Sequence, residues 1–401
     1  MRKNLNEEMR NISRTYPFTE YVVKTVSRCN LNCSYCYMYN LADKSYLDQP
    51  KFMSLETAEK MAERIATHAT THKLGNVSII IHGGEPLLMG KQRFKQWVEV
   101  VRSTIGDRVP AIFGVQSNGT LIDDEWIDLL YDLGINIGIS IDGPEVYHDQ
   151  YRLYHDGKGS YNKVAQGIKR LLEHPSGPHV FTGVLSVINT RIPPQEYYEF
   201  MTGLGVPSFD IILPQSNYDN VYNQYHRPIH DWIIELFDLW FSCHDQHLSV
   251  RFFDDLLQLA FGAKNSGSEL FGNDALQLVV IETDGGIEAA DTLKACAHGI
   301  TKLGFNVHAH ELDDVLKHDL IQQVQLAHLN PSATCKACDL LASCGGGRFA
   351  DRYSSLNGFD NPSVYCNDTK VIIRHVDQTL RRVIPVDLLD RLTVAQSGIS
   401  P

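Results

Sequence analysis

The sequence predicts an α/β protein built on a parallel sheet, with a smaller cysteine-rich segment behind it. Three observations carry this. Short runs rich in Val and Ile alternate with helix-patterned segments. The runs are near-continuously apolar, as strands buried on both faces should be. The unusual residues cluster at the carboxyl ends of those runs, where strand–helix folds place their ligands.

The strands are expected at 21–28, 77–82, 111–119, 135–142, 180–189 and 209–215. Helix patterns lie between them at 54–70, 92–104, 123–134, 161–174 and 194–205, the first with Ser54 as its N-cap. Six strands alternating with five helices imply right-handed parallel crossovers. Six units are too few for a closed eight-stranded barrel, so a partial, laterally open barrel and a doubly wound open sheet both fit. Two helices are expected within 228–265, a hairpin at 279–294 around Asp284-Gly285-Gly286, and a mostly helical tail. The expected organisation is an N-terminal extension (1–17), a barrel (18–225), a helical bridge (226–275), a cysteine-rich domain (276–370) and a tail (371–401).

Composition narrows the class. The 401 residues are 43% hydrophobic and 21% charged, ordinary for a globular protein. The net charge of −12 argues against a nucleic-acid partner. No apolar run reaches the length of a membrane span, and the start lacks a secretory h-region. Seven of the nine cysteines fall in two groups, which reads as metal ligation in a reducing, cytoplasmic setting. Cys243, in an apolar helix pattern, and Cys296 read as small core hydrophobes.

Four motifs follow the first four strands. Cys29, Cys33 and Cys36 put three soft thiolates on a tight loop, one short of a closed zinc or cubane iron–sulfur site. Gly83-Gly84-Glu85-Pro86 lets backbone approach a ligand, and its carbonyls could hold an ammonium group; alone it is a turn with Glu85 starting a helix. Ser117, Ser140 and Asp142 lie in turn-like stretches and could bind ribose hydroxyls or a carboxylate.

Together, C-x-x-x-C-x-aromatic-C and Gly-Gly-Glu-Pro resemble the radical S-adenosylmethionine (radical SAM) superfamily, over roughly residues 18–215. The resemblance implies a partial (β/α)6 TIM-like barrel in which Cys29, Cys33 and Cys36 hold a four-iron cluster. S-adenosylmethionine would ligate the open iron and yield a hydrogen-abstracting 5′-deoxyadenosyl radical. Tyr35 would pack near the adenine, and Gly83, Gly84 and Glu85 would receive the methionine ammonium. Ser140 and Arg152 match positions contacting the carboxylate or ribose, with a surface salt bridge as the alternative for Arg152. A flavodoxin- or ferredoxin-type reductant is implied as partner.

Cys335, Cys338, Cys344 and Cys366 make a closed set that zinc or an iron–sulfur cluster would accept. The segment resembles the SPASM auxiliary-cluster domain of peptide-modifying radical SAM enzymes, including the anaerobic sulfatase-maturating enzymes. A full SPASM domain has seven cysteines and two auxiliary clusters. Here Arg348 and Ala290 stand at two cysteine positions of one cluster, so one auxiliary four-iron cluster is expected. Asp291 matches a proposed general base of the sulfatase-maturating relatives; a polar residue at a strand end is the alternative.

The stretch 343–366 resembles maturases that build three-residue cyclophanes on ribosomally made precursor peptides, with Asp351 where a typical relative has His. The expected reaction joins an aromatic ring carbon to the Cβ of a nearby residue. An extended peptide could pair with the hairpin edge at 279–294. The alternative reaction is formylglycine formation on a sulfatase. An alternative of another class is a non-enzymatic zinc or iron–sulfur scaffold.

Overall fold

The computed structural model describes residues 16–220, 226–243, 248–263, 269–272 and 274–385. Most of the expected extension 1–17 and the end of the tail lie outside these. Six strands stand where the pattern puts them: β1 (Glu20–Val26), β2 (Val77–Gly83), β3 (Ala111–Ser117), β4 (Ile135–Ser140), β5 (Phe181–Val187) and β6 (Ser208–Ile212). They are neighbours in chain order and all parallel. A doubly wound sheet reverses its order at a switch point. The unbroken order decides for a sheet rolled in one direction.

Four more strands extend it: β7 (Ser249–Val250), β8 (Leu278–Ile281), β9 (Gly286–Glu288) and β10 (Lys302–Asn306). β7 joins β6, and β8 runs parallel to β1. The ten-stranded order is β10-β9-β8-β1-β2-β3-β4-β5-β6-β7, so among the described residues β7 and β10 are the sheet's edges. The expected hairpin is β8–β9, turning at Gly285 (φ 82°), but Asp291–Ala295 is a 3-10 turn. Its edge is not free for a peptide: β8 is paired with β1 and β9 with β10.

The helices crossing between strands are α1 (Leu55–His72), α2 (Lys91–Ile105), α3 (Asp124–Asp132), α4 (Tyr161–Glu173) and α5 (Pro194–Gly203). Ser54 caps α1, accepting from Thr57 N at 3.0 Å. The buried face of α1 carries Ala58, Ala62, Ala66 and Ala69, small side chains that let the helix lie close to the sheet. Two further helices, α6 (Ile229–Ser242) and α7 (Arg251–Ala260), fill the bridge, and α8 (Cys366–Val383) forms the described tail. Cys243 is not in the core: it caps α6 and is exposed. Cys296 is buried as expected. No described helix is long and apolar enough to cross a membrane.

β1 is buried at all but its first residue, as is β8. β2, β3, β4 and β6 alternate buried and half-buried residues. The helices cover one face, with Ile79, Ile81, Phe113, Val115, Ile137 and Ile139 on it. The other face carries His82, Gln116 and Ser140, and is half open because the sheet does not close.

A buried charge cluster ties the chain after the first cysteines to the β8–β9 hairpin. Lys294 Nζ lies 2.8 Å from Glu288, 3.0 Å from Glu282 and 3.7 Å from Asp43. Burial opposes the ammonium, but the carboxylates hold its pKa above the usual lysine value. Lys294→Met strands these carboxylates, so stability at pH 7 should fall by about 3–5 kcal/mol. The loss should shrink at pH 5, where stranded buried carboxylates take up protons; urea unfolding at both pH values checks this.

Candidate active site

The cysteine loop leaves β1 and is pinned to segment 151–154. Asn32 N donates to Leu153 O at 2.7 Å, Ser34 N to Tyr151 O at 3.1 Å, and Leu31 bridges Tyr154. Cys29, Cys33 and Cys36 are half-buried, and Leu31 N donates to Cys29 Sγ at 3.4 Å. Burial pushes all three thiols up, Cys33 to about 11 against the pull of Arg152. Such thiols become thiolates only with a cation to bind.

The turn after β2 is stitched to this loop. Gly84 N donates to Val26 O at 2.7 Å and Glu85 N to Arg28 O at 3.0 Å. A Cβ on Gly83 would stand 2.2 Å from Val26 O, and one on Gly84 2.1 Å from Arg28 O. Both glycines are required by backbone packing against the cysteine loop. The Glu85 carboxylate is fully buried and accepts from Leu87 N (3.0 Å), Ser117 Oγ (2.8 Å) and Asn118 N (2.8 Å). Burial raises its pKa to about 7 despite those donors. The side chains of Glu85 and Ser117 therefore join two βα turns to each other and do not reach for a ligand.

Asp142 is likewise occupied. It accepts from Tyr35 Oη, from Arg152 Nε at 2.8 Å and from Val187 N at 3.0 Å. Its pKa lies below the usual carboxylate value: burial is the largest single influence and works against ionisation, but Arg152, His148 and the hydrogen bond from Tyr35 together outweigh it. Arg152 is buried, so its salt bridge is interior rather than on the surface, and its guanidinium lies over the Tyr35 ring at 5.6 Å. Ser140 Oγ accepts from Gln116 Nε2 at 2.9 Å on the half-open face. At the ends of β5 and β6, buried Asn189 Nδ2 and Gln215 Oε1 have no hydrogen-bond partner among the described residues. Unpaired buried polar atoms on this rim suit a polar ligand.

Asp291 is brought into the same interior. It is ion-paired with Lys24 of β1, whose Nζ is also 3.0 Å from His82 Nδ1. Burial would raise its pKa, but Lys24 and then His82 hold it at about 2. Burial, and next the nearby Asp291 carboxylate, push up the phenol of Tyr37, the residue after Cys36. Sequence reading missed Lys24, His82 and Tyr37. The signal was a lone lysine in the apolar run "YVVKTV".

Cys335, Cys338, Cys344 and Cys366 line one narrow cavity. Burial pushes Cys344 up to about 11. A tetrahedral zinc would draw its sulfurs to within about 4 Å of one another. Among the described residues, the single set of three or more ligand-type atoms within 4.8 Å is His68, His72 and Asp313. The wider spacing of both cysteine sets fits a multi-iron cluster better than one ion. The His68 set is structural: Phe18 N donates to His68 Nε2 at 2.9 Å, which puts the ring proton on Nδ1, facing Asp313 at 2.5 Å.

Arg348 fills the place where a further cysteine was expected. Its buried guanidinium donates to Asp351 Oδ1 at 2.7 Å and to the carbonyls of Leu213 and Pro214. Ala290 is in the core.

Residues 23–202 match the radical SAM superfamily. The match runs from β1 through α5, and the parallel sheet has the fold of a radical SAM core. A cysteine-type anaerobic sulfatase-maturating enzyme of Clostridium novyi is 25% identical over 353 residues, 86% of this chain and 91% of the relative. The solved structure of native anSMEcpe with bound AdoMet and Cp18Cys peptide matches with TM-score 0.78 at 23% identity, covering 91% of this chain and 98% of that one. Streptococcus suis SuiB bound to precursor peptide SuiA matches with TM-score 0.62 at 15% identity, covering 91% and 79%. These likenesses extend past the radical SAM core into the cysteine-rich segment.

Gly84→Ala should cost about 1–3 kcal/mol, because the Arg28 carbonyl it meets is backbone and cannot rotate away. Gly75→Ala, with nothing within 4 Å of the added methyl, should change stability by no more than about 0.5 kcal/mol. Chemical denaturation of both variants compares the two sites.

Proposed function

We propose that the chain is a radical SAM enzyme that acts on a peptide: it takes a hydrogen atom from a side-chain Cβ, and the substrate radical then loses one electron and one proton. The observation that carries the reading is the nearness of an ionised Asp291 to Tyr37, next to Cys36. It puts a proton acceptor beside the first cysteine set, inside the half-open sheet. The cation left by electron loss is a strong acid, so an acceptor of low pKa suffices. Lys24 holds Asp291 charged and oriented.

In this reading Cys29, Cys33 and Cys36 hold a four-iron cluster with one open iron. With S-adenosylmethionine bound there and an electron from a flavodoxin- or ferredoxin-type partner, the pair supplies the hydrogen-abstracting radical. The backbone of Gly83 and Gly84 receives the ammonium group. Ser140 and the Arg152–Asp142 pair face the carboxylate and ribose, and Tyr35 flanks the adenine. Glu85 and Ser117 shape the site from behind. Cys335, Cys338, Cys344 and Cys366 would hold an auxiliary four-iron cluster, in a SPASM-like domain at 276–370, and such a cluster would supply an electron acceptor.

Two fates of the radical stay in play. The likeness to sulfatase-maturating enzymes over most of both chains favours formylglycine: a Cys or Ser Cβ is oxidised, and for Cys, hydrolysis of the thioaldehyde follows. The buried Arg348–Asp351 pair favours the ring-to-Cβ crosslink instead. It stands where the resemblance expects a second auxiliary cluster, and Asp351 stands in the cyclophane-type stretch.

Anaerobic reconstitution should load about eight irons per chain, and Cys29→Ala/Cys33→Ala/Cys36→Ala about four. That variant should form no 5′-deoxyadenosine with dithionite; a zinc-only protein, or a wild type that forms none, sinks the reading. Coexpression with a sulfatase peptide and with short open reading frames beside the gene separates the fates. Mass spectrometry would show an aldehyde in one case and a loss of two hydrogens per crosslink in the other.

The ion pair predicts a pH effect. With its pKa at about 2, Asp291 stays ionised from pH 5 to 9 and gives no acid limb there. In Lys24→Met only the weaker pull of His82 and Lys294 still opposes burial, so the carboxyl rises. Turnover should then fall as pH drops through the new value; a flat profile in the variant would count against Asp291 as acceptor.

A further inference from the structure

Arg352 is 1% exposed, and its charge has no carboxylate partner among the described residues. Asp351, its neighbour in sequence, is committed to Arg348 at 2.7 Å. The Arg352 guanidinium donates only to backbone carbonyls: Ala327 (2.7 Å), Gly345 (2.9 Å), Gly346 (3.0 Å) and Gly347 (2.6 Å). Three of these residues directly follow Cys344, and all three have positive φ (61°, 85° and 74°), so the loop curls its carbonyls around the cation. A Cβ on Gly346 would stand 3.0 Å from the guanidinium, and Gly346 also lines the four-cysteine cavity. Carbonyl dipoles solvate a cation but do not neutralise it, and a buried charge without a counterion is costly.

We propose that Arg352 is the fixed countercharge of the auxiliary cluster and raises its reduction potential. This rests on the reading that Cys335, Cys338, Cys344 and Cys366 hold such a cluster. Four thiolates leave a cubane net anionic, and one-electron reduction makes it more so. A fixed positive charge in a low-dielectric site stabilises the reduced form more than the oxidised one. The site thereby accepts the electron of the substrate radical more readily, while the proton goes to Asp291. Arg352 is a positioning and tuning residue: it touches the loop that carries Cys344, not the substrate.

The test isolates the auxiliary site in full-length Cys29→Ala/Cys33→Ala/Cys36→Ala protein, reconstituted with iron and sulfide. Its midpoint potential is read by mediated titration with electron paramagnetic resonance. Adding Arg352→Gln should shift the potential to more negative values, while Arg352→Lys, which keeps the charge, should stay near the parent. An unmoved potential in Arg352→Gln, or equal shifts in both variants, overturns the proposal. If Arg352→Gln binds no iron, restored loading in Arg352→Lys supports a need for the charge. Failure of both variants to load reduces Arg352 to a loop clamp and overturns it. A parent that holds no iron overturns the auxiliary-cluster reading itself, a result distinct from an unmoved potential.

Discussion

Backbone contact between the end of β1 and the turn after β2 is the constraint on which the site depends. Gly83 and Gly84 bring that turn against Val26 and Arg28 at distances no Cβ permits. The contact fixes where the cysteine loop begins. From there Glu85 reaches under the turn to Ser117 and Asn118, joining the ends of β2 and β3. Asn118 in turn donates to Asn30, inside the cysteine loop, at 2.8 Å. Three consecutive strand ends are thus locked together by hydrogen bonds that each need a particular residue type. A protein that must hold three thiols in one geometry has reason to place them on such a scaffold.

Charge balance inside the sheet follows the same logic at longer range. Lys24 faces Asp291, Arg152 faces Asp142, Arg348 faces Asp351, and Lys294 faces three carboxylates. Each pair joins segments far apart in sequence or fixes a loop beside a cysteine. Buried pairs of this kind add little net stability against an apolar substitute, but losing one partner is expensive. They specify geometry. Glu85 and Glu269 are the departures: burial raises both to about 7, Glu269 against the pull of Arg348. Glu85 makes up for the missing cation with three donors.

The fold was legible because its signals are local. Val- and Ile-rich runs between helix patterns gave all six core strands to within a few residues, and Ser54 gave a cap. What the pattern could not carry was strand order. A partial barrel and a doubly wound sheet share the same alternation and differ only in which strands meet. Two-residue β7 is too short for any periodicity, and β10 follows a loop with no apolar alternation. At the site, residue types were legible but their engagement was not. Ser117, Glu85 and Asp142 are ligand-like side chains whose oxygens turn out to be taken by protein donors. Cys243 was placed in a core because its helix is apolar, yet it sits at the exposed end. Lys24 was hidden inside an apolar strand; its meaning depends on Asp291, 267 positions away.

The two cysteine sets differ in more than count, and the difference bears on direction of electron flow. The first set shares its interior with ionised Asp142 and Asp291, each already matched by its own cation. The second lies against Arg352, whose cation has no carboxylate of its own. A cluster at the first position therefore meets a nearly neutral surround, whereas one at the second meets a net positive charge. Reduction is harder in the first setting and easier in the second. On the proposed function, an electron released by the substrate would run downhill toward the second set. In that reading the four-ligand site would need no open iron for its task, and the three-ligand site would need one.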